Sequence, residues 1–174
     1  MTSELHLIIG PMFSGKTTEL LKIAKRLSSI NLKVLLINYH EDTRYSSTEM
    51  KTHDNDGIPC KFINNLLETE YLEYDIICIN EAQFFTNLVE FCKDVLKNNK
   101  TIYVSGLDGD YKQEKFGEIL DLIPFCDFVL KLKAFCKICQ NGTLAPFTKR
   151  IIESNEQKLI GTNEYIPVCR KHLI

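Results

Sequence analysis

No apolar run in this 174-residue sequence approaches the ~20 residues a membrane-spanning helix needs. The N-terminus has neither the basic start nor the long apolar segment of a secretory signal. A cytoplasmic location with no membrane partner is therefore expected. Excess positive charge is lacking too: 21 lysines and arginines stand against 23 aspartates and glutamates, for a net charge of −2. No broad field exists to attract nucleic acid, and none is expected as a partner. Internal repeats and low-complexity linkers are absent. The seven cysteines, at positions 60, 78, 92, 126, 136, 139 and 169, are odd in number and scattered, which does not suit a disulfide framework. Cys78 and Cys92 lie in apolar surroundings and read as small buried residues. Hydrophobic residues make up 44% of the chain and charged residues 25%, ordinary values for a globular protein of one domain, or one domain with a small appendage.

The most informative stretch is Gly10-Pro11-Met12-Phe13-Ser14-Gly15-Lys16-Thr17. It has the form G-x-x-x-x-G-K-[ST], in which glycines let successive backbone N–H groups turn inward around a polyphosphate. Lys16 adds positive charge near the outer phosphates, and the Thr17 hydroxyl suits a magnesium ion. Leu5 to Ile9 reads as a strand before the loop, and Leu20, Leu21, Ile23, Ala24 and Leu27 recur at helical spacing after it. Lys33 to Asn38, Asp75 to Ile79, Thr101 to Ser105 and Phe128 to Leu132 read as further strands, and Leu88 to Leu96 as a helix. Alternating strands and helices with short links imply a parallel α/β sheet. Short helices are expected over 64–74 and 117–123, and a mobile loop over 46–60.

Ligands of open α/β sheets sit beyond the carboxyl ends of the strands. Asp42 and Arg44 follow the second strand; they suit a magnesium ligand and a neutralising cation, and equally a solvated surface ion pair. Thr52-His53-Asp54 is either a functional loop or a turn. Phosphate-loop enzymes place an acidic residue at the tip of a strand neighbouring the loop. Here that tip carries Asn80, and the carboxylate follows at Glu81. An amide cannot act as a general base, so Glu81 takes that role.

Near the C-terminus, Cys136-Lys137-Ile138-Cys139 and Cys169-Arg170-Lys171-His172 are two ligand pairs of equal spacing. They suit a tetrahedral structural zinc site, which would stabilise about forty residues too few to build much core of their own. A redox C-x-x-C and a surface His172 are the alternatives.

With Thr148-Lys149-Arg150, Leu107-Asp108-Gly109 and Glu81-Ala82-Gln83-Phe84-Phe85 added to these motifs, the chain resembles, over nearly its whole length, the thymidine kinases of vertebrate cytosol, many bacteria and poxviruses. The resemblance implies a P-loop NTPase (RecA-like) fold with a mostly parallel sheet flanked by helices. It divides the chain into a nucleotide-binding domain, 1–132, and a zinc-ribbon-like subdomain, 133–174, carrying a lasso loop. The implied reaction is transfer of the γ-phosphate of ATP to the 5′-hydroxyl of thymidine, and of deoxyuridine, with Mg²⁺ assisting and Zn²⁺ structural. Lys16, Arg44 and Glu81 would be catalytic, and Gly10 to Thr17 with Asp42 would hold the nucleotide and its metal. Met12, Phe84, Leu107, Tyr111, Thr148, Leu159, Gly161 and Tyr165 would surround the nucleoside, and Cys136, Cys139, Cys169 and His172 would bind zinc. Without the family, Phe84, Leu107 and Tyr111 read as ordinary core residues. The resemblance further implies a homotetramer inhibited by thymidine triphosphate. Asn80 stands where most relatives have aspartate, and His172 replaces a frequent cysteine. The rival readings are a P-loop ATPase or nucleotide switch without a nucleoside substrate, and a zinc-ribbon module gripping nucleic acid.

Overall fold

The computed structural model describes residues 2–40, 49–51, 57–152 and 164–173. Its elements run β1 (Leu5–Ile9), α1 (Lys16–Ser28), β2 (Val34–Tyr39), β3 (Glu49–Lys51), β4 (Gly57–Pro59), β5 (Lys61–Ile63), β6 (Ile76–Ile79), α2 (Leu88–Lys97), β7 (Thr101–Gly106) and β8 (Phe128–Lys131). Branched and apolar runs too short for helices become strands whose side chains alternate between two faces. Leu5, Leu7 and Ile9 of β1, Ile77 and Ile79 of β6, and Ile102 and Val104 of β7 join one core with Leu88, Phe91, Cys92 and Val95 of α2. Ile8, Leu36, Ile76 and Cys78 join a second core with Leu20, Leu21 and Ala24 of α1. Helices thus cover both faces, which is why these strands are apolar throughout rather than half polar.

Six strands form one sheet in the order β5-β2-β6-β7-β1-β8, with every pairing parallel. The α/β fold class expected from the sequence is the one observed. One strand was not legible: β5 is a three-residue edge strand beginning on an exposed lysine, too short and too polar to show a period.

Other details also depart from expectation. The helix expected over 64–74 is a single 3-10 turn, Leu66–Glu68, because the Asn65 side chain accepts the Leu67 N–H and the chain leaves extended at Thr69. Of its three leucines only Leu66 is buried; Leu67 and Leu72 are exposed. The 117–123 helix is a 3-10 stretch, Ile119–Phe125, that runs through Pro124 instead of ending before it. Within 46–60, β3 and β4 pair antiparallel, with Met50 opposite Ile58, where a loop was expected.

After β8 the chain builds two hairpin ladders. β9 (Ala134–Phe135) pairs with β10 (Leu144–Ala145), and β11 (Phe147–Arg150) pairs with β12 (Tyr165–Val168), both antiparallel. Their shared core is small: Ala134, Cys136, Ala145, Val168 and Cys169.

Candidate active site

The stretch between β1 and α1 turns sharply at its two glycines. Gly15 has φ 84 and a Cβ there would meet nothing within 4 Å, so the glycine serves backbone conformation and leaves open space beside the loop. Gly10 is different: a Cβ would lie 2.5 Å from the Leu132 carbonyl oxygen, so this glycine permits close packing against the exit of β8. Helix α1 begins at Lys16 with no side chain capping it. Its first-turn N–H groups and its dipole point into the loop, the arrangement that attracts phosphate. Lys16 is buried, and its Nζ donates to the Pro11 carbonyl at 2.7 Å; Ser14 Oγ donates to the same oxygen at 2.8 Å.

The tip of β6 comes next to this loop although the two strands are not neighbours, since β7 lies between β1 and β6. Contact is made through α1: Thr17 Oγ1 donates to Asn80 Oδ1 at 3.2 Å, and Asn80 Nδ2 donates to Asn38 Oδ1 at 3.2 Å. Asn80 and Asn38 are both buried, and this pairing satisfies their amides without charge. Thr17 Oγ1 and Asn80 Oδ1 are hard oxygen donors of the kind magnesium takes, and neither is ionised.

Glu81 follows in a left-handed conformation, φ 50 and ψ 40, which a residue bearing a side chain adopts at a cost of about 1 kcal/mol or more. The kink sends the chain into the 3-10 turn Ala82–Phe84. Gln83 Nε2 donates to Glu81 Oε2 at 2.6 Å, and Gln83 Oε1 accepts the Leu107 N–H at 3.0 Å.

An aromatic group lies beside them. Phe84 packs on Tyr39 with centroids 5.2 Å apart and meets Phe116 edge to face at 5.5 Å. Opposite charge ties the tips of β7 and β8, with Lys131 Nζ 2.6 Å from Asp108 Oδ2. The second hairpin also reaches this end of the sheet. Thr148 Oγ1 accepts the Met12 N–H at 3.0 Å, and the Arg150 guanidinium lies 3.8 Å from the centre of the Tyr111 ring while Nη2 donates to the Tyr165 hydroxyl at 2.6 Å. Thr148, Arg150 and Tyr165 are all buried.

Cys136, Cys139, Cys169 and His172 place four donor atoms within 4.8 Å of one another. The Cys139 and Cys169 sulfurs are 3.7 Å apart, and His172 Nδ1 lies 3.6, 3.4 and 3.5 Å from the sulfurs of Cys136, Cys139 and Cys169. Tetrahedral zinc with Zn–S of roughly 2.3 Å and Zn–N of roughly 2.0 Å requires edges of about 3.5 to 3.8 Å, so set and spacing fit that ion. Burial opposes ionisation of Cys136, but the N–H groups of Cys139, Cys169 and Ile138, with the His172 ring, prevail and draw its thiol down to about 5. A thiolate is the form that binds metal. The backbone prepares both knuckles: Cys136 N–H donates to Thr143 at 2.8 Å, and His172 N–H donates to Cys169 at 3.0 Å.

The structure therefore gathers the 10–17 loop, Glu81, Phe84, Leu107, Tyr111, Thr148 and Tyr165 at one end of the sheet, with the four metal-type residues beyond them. Asp42, Thr43, Arg44, Tyr45, Thr52, His53, Asp54, Leu159 and Gly161 lie outside the described residues. Sequence reasoning missed Gln83, Tyr39, Phe116 and Arg150. Gln83 and Arg150 stood inside motifs already singled out, and Tyr39 stood at the carboxyl end of the second strand, where ligands of such sheets sit; Phe116 carried no signal beyond being aromatic.

A family model described as thymidine kinase matches residues 3–173. The thymidine kinase of Yaba monkey tumor virus (strain VR587) is 44% identical over 169 residues, spanning 95% of this chain and 92% of that protein. Thymidine kinase 1 of Dictyostelium discoideum is 40% identical over 178 residues, 98% of this chain and 77% of the relative. The cytosolic thymidine kinase of Gallus gallus is 38% identical over 170 residues, 96% and 75% respectively. Among solved structures, domain III of the Thermotoga maritima replication initiation protein DnaA aligns over 75% of this chain and 55% of that chain with a TM-score of 0.47 and 16% identity, a likeness too distant to bear on function.

Proposed function

This chain belongs to the thymidine kinase family, and from that premise we propose that it transfers the γ-phosphoryl group of ATP to the 5′-hydroxyl of thymidine. The observation that carries the reading is the Thr17–Asn80 hydrogen bond, which sets the next residue, Glu81, beside the phosphate loop. A lone ATPase could use the same loop and carboxylate to activate water; the thymidine kinase relatives favour a nucleoside as the acceptor.

In this reading the loop amides and Lys16 hold the β- and γ-phosphates, the lysine exchanging the Pro11 carbonyl for phosphate oxygens. Thr17, Asn80 and Asp42 would supply oxygen donors to a magnesium ion, which when bound would neutralise charge on those oxygens. Glu81 orients the 5′-hydroxyl and accepts its proton as the oxygen attacks phosphorus, and Arg44 stabilises charge spreading over the transferring group. Phe84, Leu107, Tyr111 and Met12 wall the base, while residues 148–165, with Thr148, Leu159, Gly161 and Tyr165, close over it as a lasso. A base that leaves buried donors unpaired loses roughly 1 to 3 kcal/mol per group, which gives selectivity.

Zinc on Cys136, Cys139, Cys169 and His172 anchors this lasso by stabilising residues 133–174, a unit distinct from 1–132. Deoxyuridine is a second acceptor, thymidine triphosphate an inhibitor spanning both subsites, and a homotetramer in the cytoplasm the working form. The test is transfer of γ-labelled phosphate from ATP to each of the four deoxynucleosides. Thymidine should be the preferred acceptor by at least tenfold; ATP turnover indifferent to added nucleoside would instead indicate the ATPase reading.

A further inference from the structure

Gln83 is 2% exposed, and its side-chain amide has one orientation only. The Leu107 backbone N–H can only donate, so the atom 3.0 Å from it is the amide oxygen; a carboxylate accepts, so the amide nitrogen faces Glu81 Oε2 at 2.6 Å. The chain makes unusual room for this arrangement. A Cβ on Gly106 would lie 2.5 Å from Gln83 Oε1, and one on Gly117, whose φ is +63, would lie 2.2 Å from the Gln83 carbonyl oxygen. Two glycines from separate segments thus wedge one glutamine. Glu81 meanwhile sits in a left-handed conformation that its own sequence does not favour, so its direction must be held from outside.

We propose that Gln83 is a positioning residue that aims the Glu81 carboxylate at the acceptor hydroxyl and ties it to Leu107 on the wall of the nucleoside cleft. The proposal rests on Glu81 being the general base. A hydrogen bond donated to one carboxylate oxygen fixes the direction the group faces and favours its ionised form over the protonated one. The link to Leu107 has a second effect: a nucleoside that displaces Leu107 also disturbs Glu81, so fit of the base is felt at the reacting oxygen.

The test compares Gln83→Met and Gln83→Glu in the zinc-loaded chain. Methionine keeps the volume and removes both hydrogen bonds. Glutamate keeps the shape and the oxygen facing Leu107 but replaces the donor with a second negative charge. The acid limb of kcat/KM against pH should move upward by about one unit with methionine and further with glutamate, kcat at neutral pH should fall about tenfold or more, and KM for ATP should stay within about twofold. Thermal melts confirm that each variant is folded, and glutamate, being nearly isosteric, supplies the second fold-preserving variant. An acid limb unmoved in both variants, while Glu81→Gln is inactive, overturns the positioning role and leaves the base intact. Near-normal turnover by Glu81→Gln removes the base, and the positioning role with it.

Discussion

The hydroxyl of Thr148 accepts the backbone N–H of Met12 at 3.0 Å, joining two residues 136 positions apart. Through this bond the second hairpin rests directly on the phosphate loop, so whatever orders the hairpin also bears on the loop. Thr148→Val removes the acceptor, keeps the shape, and leaves a partly buried N–H without it. Loss of such a bond costs about 1 to 2 kcal/mol, so KM for thymidine should rise about tenfold. Thr148→Ser should restore most of the loss, as steady-state kinetics at saturating ATP will reveal.

Arg150 joins the same hairpin to the tip of β7 by stacking on Tyr111 and donating to Tyr165. Lysine cannot supply a planar fork that does both. Arg150→Lys should therefore be nearly as harmful as Arg150→Met, each raising the nucleoside KM about tenfold or more while ATP binding, followed by equilibrium titration, changes little. A lysine variant indistinguishable from wild type would remove the stacking argument.

Five buried residues cannot hold the hairpins alone, and two of them are cysteines of the metal cluster. One tightly held zinc per chain is expected by metal analysis. Chelation in mild denaturant should expose Cys136, Cys139 and Cys169 to alkylation and abolish nucleoside phosphorylation. Cys78 and Cys92 should stay protected under the same conditions, since both are fully buried and burial pushes their thiols far up. Mass spectrometry of the alkylated peptides distinguishes the two sets.

Tyr71 provides a pH-dependent contribution away from the site. Burial, then the hydrogen bond to and negative charge of Asp94, push its hydroxyl up to about 12, above its ordinary 10.0. A group whose folded pKa is raised stabilises the fold below its unfolded value and loses that contribution as pH climbs through the window between the two. Urea melts between pH 9 and pH 12 should show a loss of stability that Tyr71→Phe flattens. At neutral pH the same variant should cost about 1 kcal/mol through the lost hydrogen bonds with Asp94 and Asn98.

Strands β1, β2, β6 and β7 were readable because each is a short apolar run buried on two faces, β8 because it is an apolar run although it lies exposed at the sheet edge, and both long helices because of their 3.6-residue stripes. The 64–74 segment misled for a definable reason: three leucines suggested a helical face, yet the Asn65 side chain satisfies the Leu67 N–H within one turn and the chain turns away. In the site, the loop residues and the Cys136, Cys139, Cys169 and His172 set were legible because their chemistry is written in fixed local spacing. Gln83 was passed over inside a motif already singled out. Its importance lies in contacts with Glu81 and Leu107, and the second is 24 positions away.

The sequence by itself determined the glycine-rich loop between strand and helix, the parallel α/β class, a carboxylate at a strand end and the four-residue set suited to a metal. Each depends on residues within a few positions of one another, where backbone geometry and ligand spacing leave little choice. Tertiary structure alone decided that β7 separates the loop strand from the Asn80 strand, that Gly10 is required by the Leu132 carbonyl, and that Thr148 and Arg150 bind the second hairpin to the loop and the β7 tip. Strand order and side-chain partners of this kind arise when separate segments compete to bury their apolar faces and satisfy their polar groups together. No local pattern records the outcome of that competition.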